Sequence, residues 1–255
     1  MTDARSVRCA AALLAALAWL GTATAQSSAP LRALSSNGVR AAVAVLVPQC
    51  ERSVGRALRI EYGTSASIRQ RISGGESVDF ALITTPVVAE LAQGGHLTAA
   101  SITPLGRAGI GVGIRAGARR ADIGTAVAIK QTLLAAKSVT FAREGASRVY
   151  LERMFEQLGI AAEMQAKTLL EAGSVQAAHK VAGGEAELLL TLVSEILPED
   201  GVELLGRLPA EFQSYISFDA AVGAHPQDAA AANAFVTCLA APTASSTFAE
   251  KGIER

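Results

Sequence analysis

The stretch LRALSSNGVR, at positions 31–40, introduces the pattern that repeats along this chain. Its apolar run at 31–34 predicts a short β-strand, and the polar turn at 35–38 leads into apolar residues at helical spacing over 39–52. Units of strand, short polar turn and helix build parallel sheets that carry helices on their faces. Pro48 lies inside the helical pattern, so we expect this helix to be kinked or shortened there.

The same unit recurs in two sets along the chain, which together predict an α/β protein. Two long apolar runs, at 105–114 and 213–222, join the sets, and a helix capped by Asp122 is expected to end near residue 137. Further strands are predicted at 57–62, 79–83, 139–142, 163–169 and 186–192.

Two sets joined by two crossing strands predict two lobes, each a mostly parallel sheet flanked by helices. The second lobe would be inserted in the first. We expect residues 26–108 and 219–255 to form the first lobe, and residues 109–218 to form the second.

The first 25 residues have a different composition from the rest of the chain. They combine a basic start, an uninterrupted apolar run at 9–20 and an Ala-x-Ala sequence that ends at Ala25. These are the three parts of a secretory signal peptide. The apolar run is shorter than the roughly 20 residues that span a bilayer. We therefore predict that residues 1–25 are removed near Ala25 and that the protein works in the periplasm.

The charge balance excludes several classes of partner. The chain has 23 Lys and Arg against 23 Asp and Glu, so nothing suggests a nucleic-acid partner. Later apolar runs are interrupted by Gly, Arg or Glu, and the protein is therefore not expected to be membrane-embedded. The three histidines, His96, His179 and His225, lie far apart without the spacing of metal ligands, so no metal or cofactor is predicted.

Cys50 and Cys238 remain after removal of the predicted signal peptide. An oxidising compartment permits them to form a disulfide, but free cysteines are also among the most buried residues. Because pairing depends on the Cα separation, the sequence leaves both alternatives open.

Three of the predicted turns are rich in hydroxyl groups or small residues: 35–38, 63–66 and 145–147. Ligands of open parallel sheets lie at the carboxyl ends of strands, where the free N–H groups of a helix start hold an anion. Ser36, Ser65 and Ser147 could instead only cap their helices, which is a frequent role of serine. Their repetition in both halves favours a shared anion site.

Catalysis has little support in the sequence. There is no phosphate-binding loop or nucleophile elbow, and Glu195 is a single carboxylate rather than an acid–base pair. We therefore predict a binding protein and not an enzyme. A secreted enzyme with Glu195 in the cleft and a binding protein that signals to a membrane sensor are the competing hypotheses.

Four segments resemble the molybdate-binding-protein-like branch of the periplasmic binding proteins: SSNGVR at 35–40, EYGTSA at 61–66, GASRVY at 145–150 and SEILP at 194–198. The resemblance covers nearly all of the chain after the signal peptide. It implies the two-lobed type II fold, capture of a small anion between the lobes, and delivery to an ABC permease of the inner membrane. A monomer is expected because binding proteins dock one-to-one.

The resemblance also implies a set of site residues. Family members hold their oxyanion with serines of the first lobe and with an alanine, a valine and a tyrosine of the second. Leu192 stands in the place of the tyrosine, and Arg148 replaces a glycine, which could favour a carboxylate ligand or narrow the cleft; Arg40 and Arg148 could supply charge or be solvated. The ligand is expected to be a molybdate- or tungstate-like oxyanion, with a small organic carboxylate as the alternative. The predicted ligand-binding residues are Ser36, Asn37, Arg40, Thr64, Ser65, Ala146, Ser147, Arg148 and Val175.

Overall fold

The computed structural model describes residues 29–255, and the predicted signal peptide lies outside this range. The described strands are β1 (Leu31–Ser36), β2 (Leu58–Gly63), β3 (Phe80–Thr84), β4 (Thr103–Arg115), β5 (Val139–Ala142), β6 (Thr168–Glu171), β7 (Leu188–Leu192), β8 (Val202–Arg207), β9 (Tyr215–Val222) and β10 (Ile253–Glu254). The described helices are α1 (Asn37–Val54), α2 (Ser65–Ser73), α3 (Thr85–Gln93), α4 (Ala126–Ala135), α5 (Arg148–Gln157), α6 (Ala161–Lys167), α7 (Ser174–Ala182), α8 (Val193–Ile196), α9 (Ala229–Ala240) and α10 (Ser245–Glu250).

The strands form one continuous sheet in the order β2-β1-β3-β9-β4-β7-β5-β6, and β8 and β10 pair with β4. β1 is parallel to β2 and β3, and β5 is parallel to β6 and β7. The long strands β4 and β9 run antiparallel to each other between these two parallel groups. The predicted α/β class, with a central sheet flanked by helices, is confirmed.

The strand β4 changes partner part-way along its length. Its residues 103–109 pair with β9, whereas residues 110–114 pair with β7. The change falls between Gly109 and Ile110, so β4 runs antiparallel to β9 in its first part and antiparallel to β7 in its second, and it connects the two parallel groups. The predicted lobe boundaries stay a prediction.

The helix α1 continues through Pro48 and ends at Val54. The prediction that Pro48 shortens this helix is therefore wrong. Val43 and Leu46 are buried before the proline and Cys50 is buried after it. Packing on both sides offsets the hydrogen bond that proline cannot donate.

Two other segments differ from the sequence predictions. The helix α4 begins after Thr125, whose hydroxyl accepts the Ala128 N–H at 3.1 Å, whereas the Asp122 carboxylate accepts the Gly124 N–H in the preceding turn. The expected strand at 163–169 is mostly the helix α6. The run AAEMQAK consists of strong helix formers, and the buried Met164 anchors it to the core.

The core is mainly aliphatic, with a few aromatic side chains such as Phe80 and Phe235, whose rings stack at 5.9 Å. Cys50 on α1 and Cys238 on α9 form a disulfide with a Cα–Cα distance of 5.8 Å. The structure thus decides between the two alternatives that the sequence left open. No helix within residues 29–255 has both the length and the apolar composition needed to cross a bilayer.

Candidate functional site

A small cavity lies between the ends of β1, β2, β5 and β7, and has a volume of about 20 Å³. This is room for about one water molecule. Both parallel groups of strands contribute to its wall. The lining residues are Ser36, Thr64, Ser65, Ala142, Gly145, Ala146, Ser147, Ser174, Leu192, Glu195 and Phe218.

Two hydroxyls at the ends of β1 and β2, in the first parallel group of strands (β1–β3), cap the helices that start at the cavity. The Ser36 Oγ accepts the Gly38 N–H at 3.2 Å at the start of α1. The Thr64 Oγ1 accepts the Ser67 N–H at 3.1 Å at the start of α2. A hydroxyl that accepts one hydrogen bond still has its own O–H to donate. Capping and ligand binding are therefore compatible at these two positions.

Ser65 connects α2 to the neighbouring strand. Its buried Oγ accepts the Thr84 N–H at 3.1 Å, at the end of β3. This hydrogen bond holds the hydroxyl at the cavity wall, with its hydrogen free to donate. Ser65 is thus positioned by the fold and not by its own helix.

Ser147 contributes a hydroxyl to the cavity wall from the second parallel group of strands (β5–β7). It is buried and precedes α5, but its side chain makes no capping hydrogen bond. The preceding turn is closed by the Gly145 N–H, which donates to the Ala142 carbonyl at 3.2 Å. Ala146 lies on the cavity wall beside it. The hydroxyl of Ser147 is therefore not committed to capping α5.

The structure brings Ser36, Thr64, Ser65, Ala146 and Ser147 together around one cavity. Their role in ligand binding stays a prediction, and the remaining four predicted residues do not line the cavity. These four are Asn37, Arg40, Arg148 and Val175.

The two arginines among the four form ion pairs outside the cavity wall. Asn37 lies beside Gly173, and Arg40 forms an ion pair with Glu199. The guanidinium of Arg148 bonds to Glu152 one helical turn away, at 2.7 Å, and to the Arg143 carbonyl, a common pairing at i and i+4. Val175 follows the lining residue Ser174, and consecutive helix positions face different directions.

Ser174 and Glu195 are polar lining residues outside the predicted ligand-binding set; Glu195 was placed in the cleft only under the competing enzyme hypothesis, and Ser174 was missed. Ser174 begins α7 after Gly173, and the sequence Ala172-Gly173-Ser174 is a fourth small, hydroxyl-bearing turn that could have been recognised. Glu195 lies on the short helix α8, directly after β7. Its place after a strand end was the available signal.

The two oxygens of Glu195 are held by hydroxyl groups. The Ser174 Oγ donates to Oε1 at 2.9 Å, and the Thr191 Oγ1 donates to Oε2. Burial raises the pKa of the Glu195 carboxyl above its ordinary value. The two hydroxyls, a backbone hydrogen bond with Leu192 and the charge of Arg40 lower this pKa, but burial has the larger effect.

The cavity has no basic side chain to balance an anion. Within residues 29–255, its wall includes no Lys, Arg or His. Favourable electrostatics for an anion would come from the starts of α1, α2, α5 and α7, where N–H groups have no partner within the helix, and from the nearby charge of Arg40, which acts on Glu195. In the same part of the chain, His, Cys, Asp and Glu side chains do not form a group of three that could hold a metal.

Residues 31–254 match the family described as bacterial extracellular solute-binding protein. The chain belongs to this family. A relative of this solute-binding protein, aconitate isomerase from a Pseudomonas species, is 30% identical over 237 residues, which cover 90% of this chain and 89% of the relative.

Solved structures with the same fold include two oxyanion-binding proteins. The periplasmic molybdate-binding protein of Azotobacter vinelandii aligns with a TM-score of 0.75 at 16% identity, covering 88% of the solute-binding protein and 99% of the other chain. The sulfate-binding protein SubI of Mycobacterium tuberculosis aligns with a TM-score of 0.69 at 16% identity, covering 88% and 86%. The fold is therefore the type II periplasmic binding protein fold that the resemblance implied.

Proposed function

We propose that this solute-binding protein captures a small anion in the cavity in the periplasm and delivers it to an ABC permease of the inner membrane. One observation carries the proposal: four helix starts from two groups of strands meet at a single cavity. Each start offers free N–H donors and about half a positive charge. Together they can hold an anion without a basic side chain.

The cavity is too small for an organic anion in the described form, so a ligand would enter by opening of the lobes. We propose that residues 26–108 and 219–255 move as one lobe and that residues 109–218 move as the other. The hinge would lie in β4 near 108–112 and in β9 near 217–221, because only a few residues need to change their backbone angles. The Gly109–Ile110 change of strand partner supports the first of these positions.

A small organic carboxylate is the ligand class that we favour over a molybdate- or tungstate-like oxyanion. Leu192 lies at the cavity where the resemblance implies a tyrosine, so one hydroxyl donor of the oxyanion site is missing. Glu195 adds an acceptor that molybdate cannot satisfy, whereas an organic acid that keeps an acid hydrogen or carries a hydroxyl can donate to it. The 30% identical relative is named for an isomerase of aconitate, a tricarboxylate. These observations support a carboxylate without naming one.

A binding screen tests this function. Thermal unfolding would be followed with cis- and trans-aconitate, citrate, succinate, molybdate, tungstate and sulfate. A ligand at about 100 times its dissociation constant stabilises a protein by about 2.7 kcal/mol, so the melting temperature should rise with at least one carboxylate. Absence of a shift with every anion at millimolar concentration would contradict the proposal.

Matched serine variants localise the binding. Ser147→Ala removes a hydroxyl that makes no capping bond, so the fold should persist while affinity decreases several-fold. Ser245→Ala, at the start of α10 and away from the cavity, should bind like the wild type. Equal affinity of both variants would indicate a site elsewhere.

A second candidate function is isomerisation of an unsaturated tricarboxylate, favoured by the position of Glu195 on the cavity wall together with the aconitate isomerase relative. Glu195 would take a proton from the methylene carbon of the substrate as the double bond shifts. That proton would exchange with solvent, and Glu195 would then protonate the former vinylic carbon. One C–H bond breaks and one forms, so no other reactant is needed. A carboxyl group of raised pKa is suited to both steps.

Nuclear magnetic resonance in heavy water separates this activity from binding alone. An isomerase would convert trans-aconitate to cis-aconitate and incorporate deuterium, and Glu195→Gln would abolish both changes. Binding of trans-aconitate without conversion or exchange would leave capture as the function and exclude the isomerase.

A further inference from the structure

Glu195 is the one ionisable side chain on the cavity wall among the residues that the structure describes. The other polar lining groups are hydroxyls, which can donate to an anion, together with backbone N–H groups at the helix starts. An ionised carboxylate can only accept hydrogen bonds. Glu195 therefore differs in chemistry from the rest of the cavity wall.

The fixed partners of Glu195 leave part of its hydrogen-bonding capacity unused. Ser174 occupies one position on Oε1, Thr191 occupies one on Oε2, and the Leu192 backbone also bonds to the carboxyl group, whereas a carboxylate offers about four lone-pair positions. Because Glu195 lines the cavity, a bound anion would lie beside these remaining positions. An ionised Glu195 and a bound anion would repel each other. One hydrogen placed between their oxygens removes this repulsion and forms a hydrogen bond.

We propose that an anion binds in this cavity together with one proton, which lies between Glu195 and the ligand. A ligand that arrives fully ionised would cause the protein to take up that proton from solvent. A ligand that carries its own hydroxyl or acid hydrogen would supply it. This inference rests on the proposed function, because it concerns the same cavity, and it adds a rule for ligand choice.

The groups that face Glu195 support a single titrating site. Thr191 on β7 and Ser174 on α7 are neutral, and Arg40 on α1 is the charged residue whose field acts on the carboxyl group. Arg40 is itself paired with Glu199. Burial already raises the pKa of Glu195, and a bound anion would raise it further. Protonation of this carboxyl group is therefore the expected response to an anion.

Calorimetric titration in buffers of different ionisation enthalpy counts the protons taken up. The probes are trans-aconitate and molybdate, both fully ionised near neutral pH, titrated at several values between about pH 6 and pH 9. Wild-type protein should take up close to one proton at values above the pKa of free Glu195. Over the same range its affinity should decrease by up to about tenfold per pH unit.

Variants assign the proton to Glu195. Glu195→Gln carries a permanent N–H donor, so it should bind with little pH dependence and without proton uptake. Ser174→Ala removes a hydrogen bond that lowers the pKa of Glu195, so proton uptake should begin at higher pH. The exposed Glu90→Gln should retain the wild-type profile.

These experiments distinguish a failure of coupled proton uptake from a failure of anion binding itself. Binding by the wild type with an affinity that does not change with pH would overturn the inference and leave anion capture intact. The same would follow if Glu195→Gln retained the wild-type pH dependence. Lack of binding of both probes to every variant would overturn the proposed function, and the inference would fall with it.

Discussion

Arg40 on α1 forms an ion pair with Glu199, which follows α8, and so joins two positions that are 159 residues apart. The Glu199 side chain is 9% exposed and that of Arg40 is 32% exposed. Neither residue lines the cavity, but the charge of Arg40 acts on Glu195 in its wall. It connects the segment after β1 to the segment after β7, the two strands whose ends meet at the site.

Glu199→Gln should lower the free energy of unfolding by about 1–2 kcal/mol, because the Arg40 charge would lose its partner in a partly buried position. Urea unfolding measures the change. The exposed pair of Arg69 and Glu90, at 3.3 Å, provides the control, and Glu90→Gln should cost less than about 0.5 kcal/mol. Equal losses in the two variants would show that the Arg40–Glu199 pair contributes no more than a surface pair.

Removal of the Cys50–Cys238 disulfide should destabilise the protein strongly. The bond closes a loop of 188 residues between α1 and α9, and loss of such a link costs about 2–5 kcal/mol by release of the unfolded chain. Thermal unfolding of the Cys50→Ser, Cys238→Ser double variant measures the effect. Peptide mass analysis after alkylation, with and without reduction, should show both cysteines protected until the protein is reduced. Free thiols in the oxidised native protein would refute the pairing.

Gly38→Ala should damage both stability and binding. A Cβ at this position would lie 2.3 Å from the Phe218 Cζ and 3.2 Å from a Leu192 methyl group. Phe218 and Leu192 line the cavity, so relief of the clash would move the cavity wall. Overpacking of this kind costs about 1–3 kcal/mol. Urea unfolding and ligand titration should therefore both change, and a variant with wild-type affinity would show that the wall tolerates the displacement.

The pair of carboxylates around Arg71 should make stability decrease in acid. The guanidinium donates to Glu76 at 2.6 Å and to Glu61 at 2.7 Å, and these hydrogen bonds lower the pKa of both carboxyl groups. Because the folded-state pKa values lie below the ordinary ones, this contribution is present above about pH 4 and is lost as the pH falls through the folded values.

Thermal unfolding of wild type and Arg71→Met between about pH 3 and pH 7 tests the assignment. The variant should be less stable at neutral pH, and the difference should shrink in acid as the carboxylates are protonated. Added salt should also reduce the difference, because the groups are partly exposed. A difference that stays constant down to about pH 3 would assign the effect to packing of the Arg71 side chain.

Much of the fold could be predicted because its signals are local. The apolar runs, polar turns and caps that define β1, α1 and α2 each lie within a few neighbouring residues. Two of the wrong predictions have different causes. Core packing carries α1 through Pro48 against its local preference, whereas residues 163–169 form mostly α6 because they are strong helix formers, a local preference that the strand prediction overlooked.

The turns that form the site could be predicted from the sequence, whereas the directions of its charged side chains could not. Ser36, Ser65 and Ser147 were recognisable because each precedes or begins a helix, and the fold places all three at one cavity. Arg40 and Arg148 have long side chains, and their directions depend on Glu199 and Glu152. The role of Glu195 in the cavity wall could not be predicted from its position alone, because its hydroxyl partner Ser174 is 21 residues away.

Local hydrophobic periodicity and turn chemistry were therefore sufficient for the α/β class and for the serine-rich helix starts. Folding in three dimensions settled three further matters: the pairing of Cys50 with Cys238, the pairing of Arg40 with Glu199 outside the cavity wall, and the placement of an acid on that wall. The physical reason is the separation along the chain of the residues that interact. Strand and helix formation depends on neighbours along the chain, whereas the environment of a side chain is set by residues that approach it only when the sheet and its helices are assembled.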